Sequence, residues 1–133
     1  MCLSTVIKTQ LPTKIVYQGY KVFDRRTEPE YLEFLYGRIT DKYVNSRIVP
    51  RGRWIKAIPW DQTTPYDYGF HVFRDLEDAK IYCKGVELYF NFPQIYRVKC
   101  RGLVTVGTQL MSSRYLLCRV FREIKVGRKV SHK

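Results

Sequence analysis

Three cations recur at every second position of the stretch Gln94–Arg101, where Arg97, Lys99 and Arg101 alternate with Tyr96, Val98 and Cys100. In an extended chain successive side chains leave opposite faces, so the three cations stand on one side, about 6–7 Å apart. That spacing suits contacts to successive phosphates of a nucleic-acid strand. Arg114, Arg119, Arg122, Lys125, Arg128 and Lys129 follow downstream and extend the same basic region. Tyr89, Phe90, Phe92 and Tyr115 lie nearby in sequence, and rings beside cations suit base stacking. No RNP aromatic pattern, GXXG loop or zinc finger accompanies them, so the signal is electrostatic and carries no sequence preference. The competing account is a solvated sheet face whose cations keep the protein in solution.

Other reactive residues are few. His71 sits within the run GFHVF, on the side opposite Phe70 and Val72. A general base there needs an orienting carboxylate, and folding alone can bring Glu87 or Glu123 to it. A packed, hydrogen-bonded histidine is the commoner outcome. Asp75, Glu77 and Asp78 are explained by capping and by the dipole of a following helix, so no metal site is assigned to them. The four cysteines, Cys2, Cys83, Cys100 and Cys118, form no C-x-x-C pair, and with two histidines in the chain a structural zinc site has no support. Free thiols in a reducing compartment are the expectation. Removal of Met1 would expose Cys2 as an amino-terminal thiol, but no partner base can be named for it, and packing as a small hydrophobe is the expected role. No cofactor is expected.

Short elements must position these residues. Lys14–Phe23 (KIVYQGYKVF) is rich in β-branched and aromatic residues and reads as a strand, with Gly19 marking a bulge or a close approach. Arg25–Glu30 reads as a charged turn. Glu30–Tyr36 is too short to arbitrate between helix and strand. Asp41–Arg53 reads as loop and edge structure, Arg53–Ile58 as a strand, and Pro59–Tyr68 as a surface turn broken by two prolines. Gly69–Phe73 is a strand that leads into a helix. Asp75 is its N-cap, Asp78 the capping-box acid, Lys84 suits the last turn and Gly85 is the expected stop. Val86–Phe90 pairs or forms the loop after the helix. Strands follow at Gln94–Arg101, extended by Leu103–Val106, and at Tyr115–Val126, with Gly107–Arg114 as the loop between them.

The chain has 133 residues and a net charge of +12. One domain of that length buries about two thirds of its unfolded surface. The expectation is a single α+β domain over residues 1–133, with an amino-terminal arm (1–13) and a mobile basic tail (127–133). Its body is a mostly antiparallel twisted sheet, or a partly open barrel, of about five to seven strands with one or two short helices. Residues 1–83 hold thirteen lysines and arginines against ten carboxylates, whereas residues 84–133 hold eleven against two. The carboxy-terminal part thus carries +9 of the charge, a field that concentrates polyanions. No secretory segment opens the chain and no apolar run reaches the length of a membrane span.

The opening MCLS, the strand YKVF at Tyr20–Phe23, the unit GFHVFRDLEDAK at Gly69–Lys80 and YRVKCRG at Tyr96–Gly102 occur in that order. This resembles a group of small uncharacterised proteins of phages and bacteria that open MCL and carry a G-x-H-x-F-x-x-x-E-D-A unit. The order of elements is also similar to the ADP-ribosyltransferase layout. That resemblance implies Lys21 near the place of the arginine or histidine that meets the nicotinamide cofactor. It implies His71–Phe73 in place of a Ser-Thr-Ser stretch, and Glu123 as catalytic acid. The chain departs from the pattern at the first two. The leading expectation is therefore a non-enzymatic viral or phage-type accessory protein, in the host cytoplasm or the virion. Its partner would be nucleic acid or an acidic protein surface, in host interaction or anti-defence. A diverged transferase-like enzyme and a minor virion component are the alternatives, and no membrane partner is expected.

Overall fold

The alternation that marks residues 94–101 continues well past them, and a long hairpin results. In a computed structural model that describes residues 5–9, 15–27, 30–34, 39–40, 45–46, 48–57, 69–90, 92–111 and 113–130, β8 (Pro93–Met111) and β9 (Arg114–Lys129) pair antiparallel from Met111↔Arg114 to Tyr96↔Lys129. The turn joining them includes Ser113, whose φ of 63° is the left-handed conformation that tight hairpins need. Residues 107–114, expected as a loop, are thus mostly strand: Gly107 is buried and lies opposite Cys118. Gly102, with φ 72°, sits against the Arg122 side chain, where a Cβ would approach to 3.0 Å, and it bends β8 without ending it.

The other edge of β8 takes two strands from the amino-terminal part. β2 (Tyr17–Thr27) pairs from Tyr17↔Cys100 to Asp24↔Pro93, and β1 (Thr5–Thr9) pairs from Thr5↔Thr108 to Thr9↔Thr105. Residues 5–9 of the expected arm are therefore an edge strand. The charged turn expected at 25–30 is shorter than read, because β2 runs to Thr27 and pairs with β3 (Glu30–Phe34). The short apolar run after Glu30 is thus a strand, not a helical turn. β7 (Phe70–Phe73) lies between β2 and β9, and β6 (Trp54–Lys56) borders β9 on the outside. The order is β1-β8-β2-β7-β9-β6, with β3 on β2 and a further pairing of β8 with β9. Pairings therefore run in a ring through β8, β2, β7 and β9. The β2–β7 link is the single pair Tyr20↔Phe73, so the sheet is twisted and bent and is not a regular barrel. β4 (Ile39–Thr40) and β5 (Asn45–Ser46) form a separate two-stranded ribbon.

Two apolar clusters fill the sheet's two sides. One is built from the rings of Phe23, Phe34, Phe70, Tyr96 and Phe121 with Val72, Val98 and Ile124. Its rings meet stacked, tilted and edge to face, with centroids 5.7–5.9 Å apart for Phe34–Phe70, Phe23–Phe34 and Phe23–Tyr96 respectively. Each ring removed from water contributes about 1.5–3 kcal/mol. The other cluster lies beneath α1 (Leu76–Val86), whose Ala79, Tyr82, Cys83 and Val86 cover Val22, Phe73, Ile95 and Leu116.

Asp75 stands at the helix N-cap as expected, but its side chain makes no capping bond and pairs instead with Arg74 at 3.6 Å. Asp78 is not a capping-box acid either. Its carboxylate accepts the Leu117 N–H at 3.2 Å, which ties the helix to β9. Gly85 does not stop the helix, which runs to Val86 with Glu87 as C-cap in the right-handed region. Gly85 instead admits the Met111 sulfur, which a Cβ would strike. Of the basic tail expected at 127–133, Gly127–Lys129 are strand, and residues 131–133 lie outside the described residues. Cys2 and the turn expected at 59–68 lie outside the described residues.

Gly19 marks a close approach: a Cβ there would collide with Val72 and come within 2.8 Å of the Phe73 carbonyl oxygen, a backbone atom that cannot swing away. Gly19→Ala is expected to destabilise the fold by about 2 kcal/mol, within the range for overpacked sites. Urea denaturation reads this as a lower midpoint at unchanged slope.

Candidate functional site

The basic strand face folds largely as its alternation requires. Arg97 and Lys99 are exposed, while Tyr96, Val98 and Cys100 are buried. Directly opposed residues of antiparallel strands project on the same face, so register decides which side chains meet. Lys99 is opposite Gln18 of β2 on one side and Lys125 of β9 on the other, and Lys125 is opposite Trp54 of β6. A row Gln18–Lys99–Lys125–Trp54 thus crosses four strands. Arg97 stands in the next row, opposite Tyr20.

Between these rows lies a cleft of about 310 Å³ lined by Gln18, Gly19, Tyr20, Arg74, Arg97, Val98, Lys99 and Gly127. Three of those residues are cations and none is a carboxylate. Arg74, which follows β7, is an unanticipated member. Its pairing with Asp75 is between largely exposed groups, so it is screened and leaves the guanidinium accessible. Gly127 sits where the β8–β9 register slips between Tyr96 and Val98, at a bulge of the kind that re-aims side chains. At the same place Arg51 donates to the Gly127 carbonyl at 3.0 Å, with its guanidinium 5.1 Å from the Tyr96 ring centre.

The remaining expected cations do not all converge. Arg101 is held by Glu123 through two bonds of 3.1 Å, with its guanidinium carbon 3.9 Å above the Trp54 ring. Its charge is thus compensated. Arg119 turns into the fold: it donates to the Gln18 carbonyl at 3.1 Å and lies 5.0 Å from the Tyr17 ring, and burial lowers its pKa. It braces the strand that carries Gln18. Arg122 is half-buried against Gly102, and its carbonyl accepts the Ala57 N–H. Arg128 and Lys129 are exposed beyond Gly127, whereas Arg114 is exposed at the far end of the hairpin, opposite Met111. Tyr89, Phe92 and Tyr115 are exposed, but neither they nor Phe90 line the cleft. Tyr20 does so instead.

His71 and Glu123 have separate surroundings. Glu123 is engaged by Arg101. His71 is 6 % exposed, and its Nε2 is buried without a hydrogen-bond partner. Burial, with the Lys21 charge adding, lowers its pKa to about 3, against a backbone hydrogen bond at Gly69 that opposes the shift. Among the described residues no carboxylate acts on it, so the imidazole is neutral and lacks the carboxylate that orients a catalytic base. Lys21 donates to the His71 carbonyl at 2.8 Å, and burial pulls its pKa down to about 8. Cys83, Cys100 and Cys118 are buried free thiols that burial pushes up to about 11, 12 and 12, so they remain protonated and unreactive. Among the described residues no group of His, Cys, Asp and Glu is arranged to hold a metal ion, and no helix is long and apolar enough to cross a membrane.

No protein-family model, no curated protein and no solved structure matches the chain.

The buried neutral histidine has a pH consequence. Its folded pKa lies below its unfolded value, so between about pH 6.5 and 3 the unfolded chain binds the extra proton and stability falls as pH falls. From pH 7 to 5 the loss is about 2 kcal/mol. Denaturation midpoints of the wild type and His71→Gln at both pH values measure it, with the variant expected to show the shallower decline.

Proposed function

We propose that the protein binds a polyanion, nucleic acid or an acidic protein surface, through the face centred on Arg97 and Lys99. The observation that carries this reading is the cleft itself. Arg74, Arg97 and Lys99 line one concavity with no carboxylate among its described walls, and Lys125 stands beside Lys99. Solvated cations that serve solubility alone have no reason to converge on a concave surface. A net charge of +12 adds a long-range field that speeds encounter with an anionic partner. In the cell the protein acts, on this reading, as a small viral or phage-type accessory protein in host interaction or anti-defence, within the host cytoplasm or the virion.

A salt titration of binding to single- and double-stranded nucleic acid and to an acidic protein tests the reading, using protein freed of carried-over nucleic acid. Affinity is expected to fall steeply with salt. The double substitution Arg97→Gln with Lys99→Gln is expected to weaken binding at least tenfold. It should reduce the salt slope by about 1.4–1.8, the equivalent of two phosphate contacts, without lowering the melting temperature. Unaltered binding by this variant would remove the face from the site.

A further inference from the structure

Within the polyanion reading, on which this inference rests, we infer that the ligand of the cleft is a single-stranded nucleic-acid segment whose bases stack on Tyr20 and Trp54. The argument is one of register and size. Tyr20 is opposite Arg97, and Trp54 is opposite Lys125, which is opposite Lys99. Two half-buried rings therefore bracket the cations on one face. The row from Gln18 to Trp54 crosses three interstrand steps, about 14 Å at the usual strand separation.

Cations that track a phosphate backbone, flanked by rings that receive bases, form the arrangement by which sheets hold single strands. Other polyanions use only half of it. A duplex keeps its bases stacked inside and offers the rings nothing. Its two backbones with stacked pairs between them make the double helix too broad to enter a cleft at the small end of ligand-pocket sizes. An acidic peptide or a polyphosphate chain satisfies Arg74, Arg97 and Lys99 but makes no use of either ring. Arg101 also contributes. Packed 3.9 Å from the Trp54 ring centre and held by Glu123, it fixes the indole in one orientation, so that a stacked base is met by a ring already in position.

The chain has two tryptophans, Trp54 and Trp60. In a Trp60→Phe background the emission therefore reports on Trp54 alone. Oligothymidylate is expected to quench that emission as it binds. Inorganic polyphosphate of matched charge should bind at least tenfold more weakly and leave the emission unchanged, and a duplex should bind more weakly than the single strand. Trp54→Leu, with its fold checked by circular dichroism, should lose about tenfold in affinity for oligothymidylate and none for polyphosphate. Tyr20→Leu provides the second ring test.

Polyphosphate, duplex or an acidic peptide binding as tightly as oligothymidylate, with Trp54 emission unmoved, would overturn the single-strand assignment and leave the polyanion reading standing. Failure of every one of these polyanions to bind at low salt would remove both.

Discussion

Backbone hydrogen bonding on both edges of β8 is the constraint on which the rest of the molecule depends. A strand's N–H and C=O groups point alternately to its two sides, and burying them unpaired is costly. β8 satisfies one edge with β9 along nearly its whole length and the other with β2 and β1 in succession. Strands β3, β6 and β7 are attached through these partners. β7 fits between β2 and β9, β6 borders β9, and α1 closes the apolar face beneath Val22 and Ile95. The connection before β8 is tied in by the same logic. Asp24, 2 % exposed, accepts the Phe92 N–H at 2.8 Å, and the Phe92 carbonyl accepts the Arg25 N–H.

The basic site is a by-product of this double pairing. Once Arg97 and Lys99 face outward, the strands on either side decide their neighbours, and those strands supply Tyr20, Gln18, Lys125 and then Trp54. Lys99 and Lys125 directly opposite each other are unfavourable in the isolated fold, because like charges across a pair repel. Arg101 and Glu123, one step along, are the compensated version of the same geometry. A sheet designed for stability alone would repeat the second arrangement.

How much of this was legible beforehand follows from the range of each signal. Alternation over residues 94–101 and the strand–helix unit at 69–84 are local patterns, and both survive folding. The strand at 94–101 is expected to extend past Gly102 through Leu103–Val106, but Gly107 reads as the start of a loop because glycine is depleted in strands. Here one is a bend and the other is buried opposite Cys118, which is why β8 runs longer than its sequence suggests. Asp78 has the spacing of a cap, but the Leu117 N–H thirty-nine positions away claims it. Arg74, Tyr20 and Trp54 carry no local mark of a binding site. Register joins them to it across tens of residues, and register between distant strands is not written in any short window. The opposite error arises at Arg119, which reads as one more surface cation until Tyr17, Phe121 and the Gln18 carbonyl are seen around it.

The order of the strands has a consequence for how the chain is made. β1, β2, β6 and β7 all precede β8 and β9, yet each finds its main partner there. Apart from the β2–β3 and β4–β5 hairpins, the single β2–β7 pair Tyr20↔Phe73 and the Glu33↔Ile48 bridge, the described strands before residue 93 cannot complete their pairing as they leave the ribosome. The early strands must wait with open edges, a hazard in a chain rich in β-branched and aromatic residues. Lys21, Arg25 and Arg26 along β2 give this waiting strand a positive charge that repels its own copies on neighbouring ribosomes. The β8–β9 hairpin, whose contacts are local, is then the natural nucleus, and the earlier strands dock onto it in a late, concerted closure.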